Sequence, residues 1–155
     1  MYSRILVPME NEDHQEPALE HALRLAQHAG ATVLLAWLVP VAASAEHFFI
    51  QIQVEPGSSG ARRKEQGEAF LAQASQAFRQ AGVNVEPQVL VTPLPPEQAL
   101  LELAEEEQVD LIVMATLPQS AVGRFLLGSV GDKVRRRSPI PVLFVNTPQA
   151  NEGRR

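Results

Sequence analysis

Cysteine is absent from the chain, which excludes disulfides, thiolate metal sites and cysteine nucleophiles together and fits a reducing, cytoplasmic setting. Positive charge is in deficit: 13 Lys and Arg against 18 Asp and Glu give a formal net charge of −5. The local basic run Arg135-Arg136-Arg137 is balanced by Glu105-Glu106-Glu107 and by the acidic loop near the N-terminus. With no basic field, nucleic acid is not expected as a partner. Long apolar runs are missing too. The longest, Ala31 to Ala45, contains Pro40 and falls short of the roughly 20 residues that a membrane helix needs, so no membrane partner is expected. The opening MYSRILVPMENED is broken by Pro8, Glu10 and Glu12 and reads as a first strand, not a secretory leader. There is no internal repeat, Ser-His-Asp ordering, phosphate-binding P-loop, HExxH metal motif or obvious carboxylate pair. No catalytic residue is assigned, and the chain is not read as an enzyme.

What is present is a regular alternation of two periods. The 155 residues, 45% of them apolar, suffice for one hydrophobic core and hence one domain. Short apolar runs rich in Val, Ile and Leu predict strands at Arg4 to Pro8, Thr32 to Val39, Val83 to Val91, Leu111 to Ala115 and Val142 to Asn146. Between them lie helical patterns. Ala18, Ala22, Leu25, Ala26 and Ala29 form one stripe that stops at Gly30; Phe70, Ala74, Ala77, Phe78 and Ala81 form another, in a helix from Ala61 to the stop at Gly82. A third helix opens after Pro95-Pro96, and a fourth starts near Gly128 and is ended by Pro139. Near-continuously apolar strands alternating with amphipathic helices predict a doubly wound α/β domain, a parallel sheet covered on both faces. The domain is expected to span residues 1–147. Residues 40–60, with the linker composition Pro56-Gly57-Ser58-Ser59-Gly60, are predicted to be a long loop, its Phe48-Phe49 pair more simply tucked onto the domain edge than covering a pocket. A polar tail at 148–155 is expected to be disordered.

In such a sheet, ligands bind at the carboxyl ends of the strands where the strand order reverses. If the first and fourth strands are neighbours there, Pro8, Met9, Glu10 and Asn11 face Met114, Ala115 and Thr116 across one crevice. The fourth helix, with Gly128, Ser129 and Val130, would point its free N–H groups at the same place, which suits an anion. Two plainer readings stand beside these. Ser129 with Asp132 matches a capping box that needs no ligand, and Glu10, Asn11, Glu12 and Asp13 read more simply as a solvated loop than as a cation site, so no metal is assigned. His21 and His28 share a helical face but stand too far apart for a metal pair. Arg124 is placed to close on a phosphate from the loop, whereas Arg135, Arg136 and Arg137 read as decoration of a helix C-terminus.

At these residues the chain resembles the universal stress protein family. DLIVM at Asp110 to Met114, LLGSV at Leu126 to Val130, Lys133-Val134 and SPIPVLFV at Ser138 to Val145 are similar to that family's closing section, and ILVPM with PALEHALRLA to its opening. The resemblance runs from about Arg4 to Asn146. It implies a Rossmann-like, five-stranded parallel sheet in the order 3-2-1-4-5 and a homodimer. Nucleotide-binding members carry Gly-x-x-Gly, nine residues, then Gly-Ser or Gly-Thr, with an aspartate just after the first strand. Here Ala115 and Pro118 occupy the two glycine positions, Glu10 occupies the aspartate position, and Gly128-Ser129 is retained. Thr92-Pro93-Leu94-Pro95-Pro96 fills a turn where the family often has a glycine. Glycine permits positive φ and close backbone approach to phosphate, whereas proline has no N–H and a fixed φ. ATP binding of ordinary strength is therefore not expected.

The last strand carries a further expectation. Val142, Leu143, Phe144 and Val145 form an apolar run at a sheet edge, where unpaired backbone groups invite another chain, so an isologous dimer through this strand is predicted. The leading reading is a cytoplasmic stress-response homodimer that acts by binding, with a protein contact as its output. The alternative is an ATP- or AMP-binding sensor, magnesium included, that uses the crevice between strands 1 and 4, with hydroxyls of Thr116 and Ser120 replacing some lost donors.

Overall fold

The apolar runs form five strands and the amphipathic stretches four helices in the computed structural model, which describes residues 1–42, 56–116 and 130–146. In chain order they are β1 (Arg4–Met9), α1 (Glu16–Ala29), β2 (Thr32–Pro40), α2 (Ser59–Gln80), β3 (Val85–Thr92), α3 (Pro96–Glu106), β4 (Leu111–Thr116), α4 (Val130–Arg137) and β5 (Val142–Asn146). All neighbouring strands pair in parallel, in the order β3-β2-β1-β4-β5. Each parallel step needs a crossover helix, and the right-handed rule sorts those helices by direction of travel. α1 and α2, moving one way from β1, pack Ala18, Ala22, Ala26, Leu71 and Phe78 on Ile5, Val7 and Trp37. α3 and α4, moving the other way, pack Leu100, Leu103 and Val134 on Leu6, Leu34 and Ile112. Because both faces are covered, β2 is buried from Val33 through Val39.

Local chemistry sets the element ends, and it departs from the sequence expectation in three places. Ser58 caps α2, its hydroxyl accepting from the Ala61 N–H at 3.1 Å, so the helix begins at Ser59 inside the stretch expected to be loop. Val83 does not start β3. Its N–H donates to the Phe78 carbonyl at 2.9 Å and closes the end of α2 behind Gly82, whose φ is 79°. The buried stripe of α2 is Gly67, Leu71, Ser75 and Phe78; Ala77 is exposed, while Phe70, Ala74 and Ala81 are half-buried. An apolar search misses that stripe because two of its members are glycine and serine. The Phe48-Phe49 segment and the tail at 148–155 lie outside the described residues.

Ser75 is fully buried, and its hydroxyl has no hydrogen-bond partner among the described residues. A buried hydroxyl left unsatisfied costs about 1–3 kcal/mol, and alanine is also the better helix former. Ser75→Ala should therefore stabilise the protein by about 1 kcal/mol, raising the melting temperature by roughly 2–4 °C. A fall in a calorimetric scan would show that the hydroxyl is satisfied.

Candidate functional site

The sheet opens at its switch point because of a proline. The Thr32 N–H donates to Ser3 O at 2.9 Å and the Asp110 N–H to Arg4 O at 2.9 Å, so Ser3 faces β2 and Arg4 faces β4. Backbone groups alternate along a strand, which turns Arg4, Leu6 and Pro8 toward β4. Proline has no N–H to give. Pairing of β1 with β4 covers only Ile5↔Leu111 and Leu6↔Ile112, whereas pairing with β2 runs on to Met9↔Trp37. Beyond Leu6 the two central strands part at their carboxyl ends. At the opposite end the sheet is clasped: Arg4 donates to the Glu107 carbonyl at 2.6 Å and pairs with Glu86 and Glu107 at 3.0 Å. These partners, Glu86 first, hold its guanidinium above its ordinary pKa.

The gap holds a pocket of about 280 Å³. Pro8, Met9, Leu38, Leu100 and Met114 give it an apolar floor; Glu10, Asn11, Asp13, His14 and Gln15, on the turn from β1 into α1, form a polar wall. Ala115, Thr116, Val130 and Gly131 line it from the other side. His14 takes φ 65°, a left-handed conformation that costs a non-glycine residue on the order of 1 kcal/mol. The wall is braced from outside by α2. The Arg63 guanidinium donates to the Glu10 carbonyl at 2.7 Å, and the Gln66 amide to a Glu12 carboxylate oxygen at 2.9 Å.

Seven of the expected site residues, Pro8, Met9, Glu10, Met114, Ala115, Thr116 and Val130, thus line one pocket. Ser120, Gly128 and Ser129, with Pro118 and Arg124, lie outside the described residues. Two expectations are corrected. The Thr116 hydroxyl is not free to replace a lost phosphate donor, because it donates to Asn146 Oδ1 at 2.8 Å and faces β5. Asp132 is held by Arg136 at 2.8 Å and by Arg135, so its carboxylate neutralises the arginine run, while Ser129, its partner in the expected capping box, lies outside the described residues. The Arg135 hydrogen bond, then the Arg136 charge, holds that carboxyl below its usual range. Arg137 is more than decoration: it reaches the buried Glu97 of α3 at 3.5 Å. Among the described residues no three His, Asp or Glu side chains converge on a cation position. No described helix is long and apolar enough to cross a membrane.

Sequence reasoning missed Leu38, Leu100, Gln15 and Arg63. The rule that sites sit at carboxyl ends of strands points to Leu38, and the apolar stripe of α3 includes Leu100. Nothing local marks Arg63, which arrives from 53 residues away.

A doubly wound sheet that parts at its switch point makes this an α/β domain of the class that takes ligands, where it has them, at the carboxyl ends of its strands. The chain belongs to the Universal stress protein family, whose model matches residues 1–146. A universal stress protein of Methanocaldococcus jannaschii is 28% identical over 96% of this chain and 85% of its own. One from Thermus aquaticus is 34% identical over 94% of this chain and 99% of its own. Among solved structures, a universal stress protein in complex with cAMP superimposes with a TM-score of 0.71 at 27% identity, over 95% of this chain and 99% of that one.

Proposed function

We propose that this family member works by binding and not by catalysis, and that the crevice between β1 and β4 takes an adenine nucleoside or nucleotide through its base and sugar. The observation that carries the reading is the parting of β1 from β4 after Leu6, which opens a pocket lined at its base by the largely buried Pro8, Met9, Leu38 and Met114. The cAMP complex of the similar universal stress protein supports the ligand class. Phosphate is gripped weakly, because Ala115 and Pro118 replace backbone-presenting glycines and Thr116 is turned to Asn146. Magnesium is not required for this mode of binding. Calorimetric titration with adenosine and AMP should show saturable, one-site binding in the micromolar to low-millimolar range. Absence of heat from both ligands at millimolar concentration would reject the crevice as a nucleoside site.

A second observation favours self-association as part of the same function. The two sheet edges differ. The Val33 N–H donates to Asn84 O at 2.9 Å, so alternation points the backbone of Pro87 outward on β3, where its missing N–H blunts the edge. On β5 the Ile112 N–H donates to Pro141 O at 3.0 Å, which leaves Val142, Phe144 and Asn146 facing outward with every N–H intact. β5 is the edge open to a second copy, and a cytoplasmic homodimer that passes ligand occupancy to a protein partner is the proposed working form.

A further inference from the structure

A groove of about 560 Å³ lies at the amino-terminal end of the sheet, away from the crevice, between the C-terminal half of α3 and the turn from α4 into β5. Buried Ala104 and Val109 close its base, and half-buried Leu101 and Ile140 face each other across it. Its charge is acidic on balance. The described lining carries the exposed carboxylates of Glu102 and Glu105 against one guanidinium, that of Arg137, which the buried Glu97 holds at 3.5 Å. The described neighbours of residues 117–129, Thr116 and Val130, both sit at the crevice, at the far end of the sheet.

What reaches this groove follows from where the β5 edge ceases to pair. A two-fold axis at Phe144 uses all three outward-facing backbones of β5 and sets Val142 opposite the partner's Asn146. Two residues further on, Ile140 comes opposite the partner's Pro148. Neither N–H can bridge that pair. The Ile140 N–H already donates to Ser138 Oγ at 3.1 Å, the same hydroxyl donates to the Ile140 carbonyl at 2.7 Å, and proline has no N–H. Both strands thus run out of donors together, and the partner's chain would leave the sheet beside Pro139 and Ile140, at the mouth of the groove.

The residues that follow this exit are Gln149 to Arg155, QANEGRR. At about 3.3 Å per residue, Arg154 and Arg155 reach roughly 17–20 Å beyond Gln149, enough to cross a helix diameter of about 10 Å and arrive at α3. We propose that the groove receives residues 148–155 of a second copy, with Pro148 and Ala150 against Leu101 and Ile140, and with Arg154 and Arg155 against Glu102 and Glu105. This rests on the homodimer through β5, and it adds a contact outside the sheet that the two-fold axis makes twice. The chain's own tail is the poorer occupant. It leaves β5 at Asn146, at the opposite end of the strand, and would have to double back along the edge that the dimer uses. A tail docked that way competes with dimerisation instead of reinforcing it, so the two occupants give opposite signs in one experiment.

The test measures the monomer–dimer dissociation constant of the full chain by sedimentation of a dilution series at low salt, where exposed charges act most strongly. It compares wild type with Arg154→Glu/Arg155→Glu, with Glu102→Arg/Glu105→Arg, and with the exchange that combines all four changes. Each reversal turns two attractions into two repulsions at both copies of the contact and should weaken the dimer at least about tenfold, while the exchange should return it to within about threefold of wild type. Glu102 and Glu105 are exposed, so the fold should hold, which circular dichroism checks. A dimer unchanged by either reversal, or left weak by the exchange, would overturn the docking and leave the edge pairing standing. A tighter dimer after Arg154→Glu/Arg155→Glu would overturn it too and place the chain's own tail on the edge. A wild type that stays monomeric throughout would overturn the edge pairing and the docking together.

Discussion

Gly67→Ala should lower the melting temperature by about 4–8 °C, a large effect for adding one methyl group to a 155-residue chain. A Cβ at Gly67 would sit 2.3 Å from Trp37 Cδ1 and 2.5 Å from both Trp37 Cγ and Nε1. The indole cannot step aside. It is fully buried on β2, one strand in from the sheet edge, and Phe70 packs on it with ring centroids 5.7 Å apart. Overpacking a rigid core costs about 1–3 kcal/mol, and so short a contact belongs at the top of that range. Helix propensity works the other way, since alanine in mid-helix is worth roughly 1 kcal/mol over glycine. The clash wins by about 2 kcal/mol, which at roughly 2–4 °C per kcal/mol gives the stated fall. The displaced helix also carries Arg63, so the brace on the Glu10 carbonyl loosens and ligand affinity falls with stability. Scanning calorimetry decides the matter: a melting temperature at or above wild type would mean that propensity, not the close approach, governs this position. Combining Gly67→Ala with Trp37→Leu should cost less than the sum of the single changes, because the leucine vacates the space that the methyl needs.

Gly67 also marks where the sequence stops being readable. β1, β2, β4 and β5 were legible to within a residue, because buried parallel strands are apolar on both faces and need no partner information to be seen. α2 was legible as a helix but not in its packing line, since Gly67 and Ser75 carry no apolar signal and gain meaning only against Trp37. The crevice was legible in outline: the carboxyl ends of β1 and β4 follow from the switch-point rule once the strand order is supposed. Its cause was not. That Pro8 faces β4 depends on backbone alternation set by Ser3 and Arg4, and the sequence gives no phase for it. Thr116 shows the opposite error, because a hydroxyl in a loop-facing position reads as a ligand group until Asn146, 30 residues on, claims it.

Leu143→Asp should convert the protein from a species of twice the 17.0 kDa chain mass to a monomer in size-exclusion chromatography with light scattering. With the backbones of Val142, Phe144 and Asn146 facing outward, the proposed dimer would bring two antiparallel copies of β5 together about a two-fold axis at Phe144, with Val142 opposite Asn146 of the second copy. That register would close about six backbone hydrogen bonds and remove the free edge. Side chains alternate across it. Phe144 and Val142 pack toward α3 and α4, while Leu143, 36% exposed and the only large apolar side chain besides Met1 that the described surface leaves open, stands on the α1 face beside the partner's edge. An aspartate at 143 places a carboxylate there on each copy with no described cation to meet it. Weakening of about 100-fold, roughly 2.7 kcal/mol, is expected from such burial. Because Leu143 is already part-exposed, the monomer should keep its fold, which far-ultraviolet circular dichroism checks. Phe144→Asp makes a poorer probe, since its ring belongs to the core on the α3–α4 face and its loss would unfold the edge as well as part it. A wild-type protein that runs at the single-chain mass, or a Leu143→Asp variant that remains at twice that mass, would refute pairing through β5.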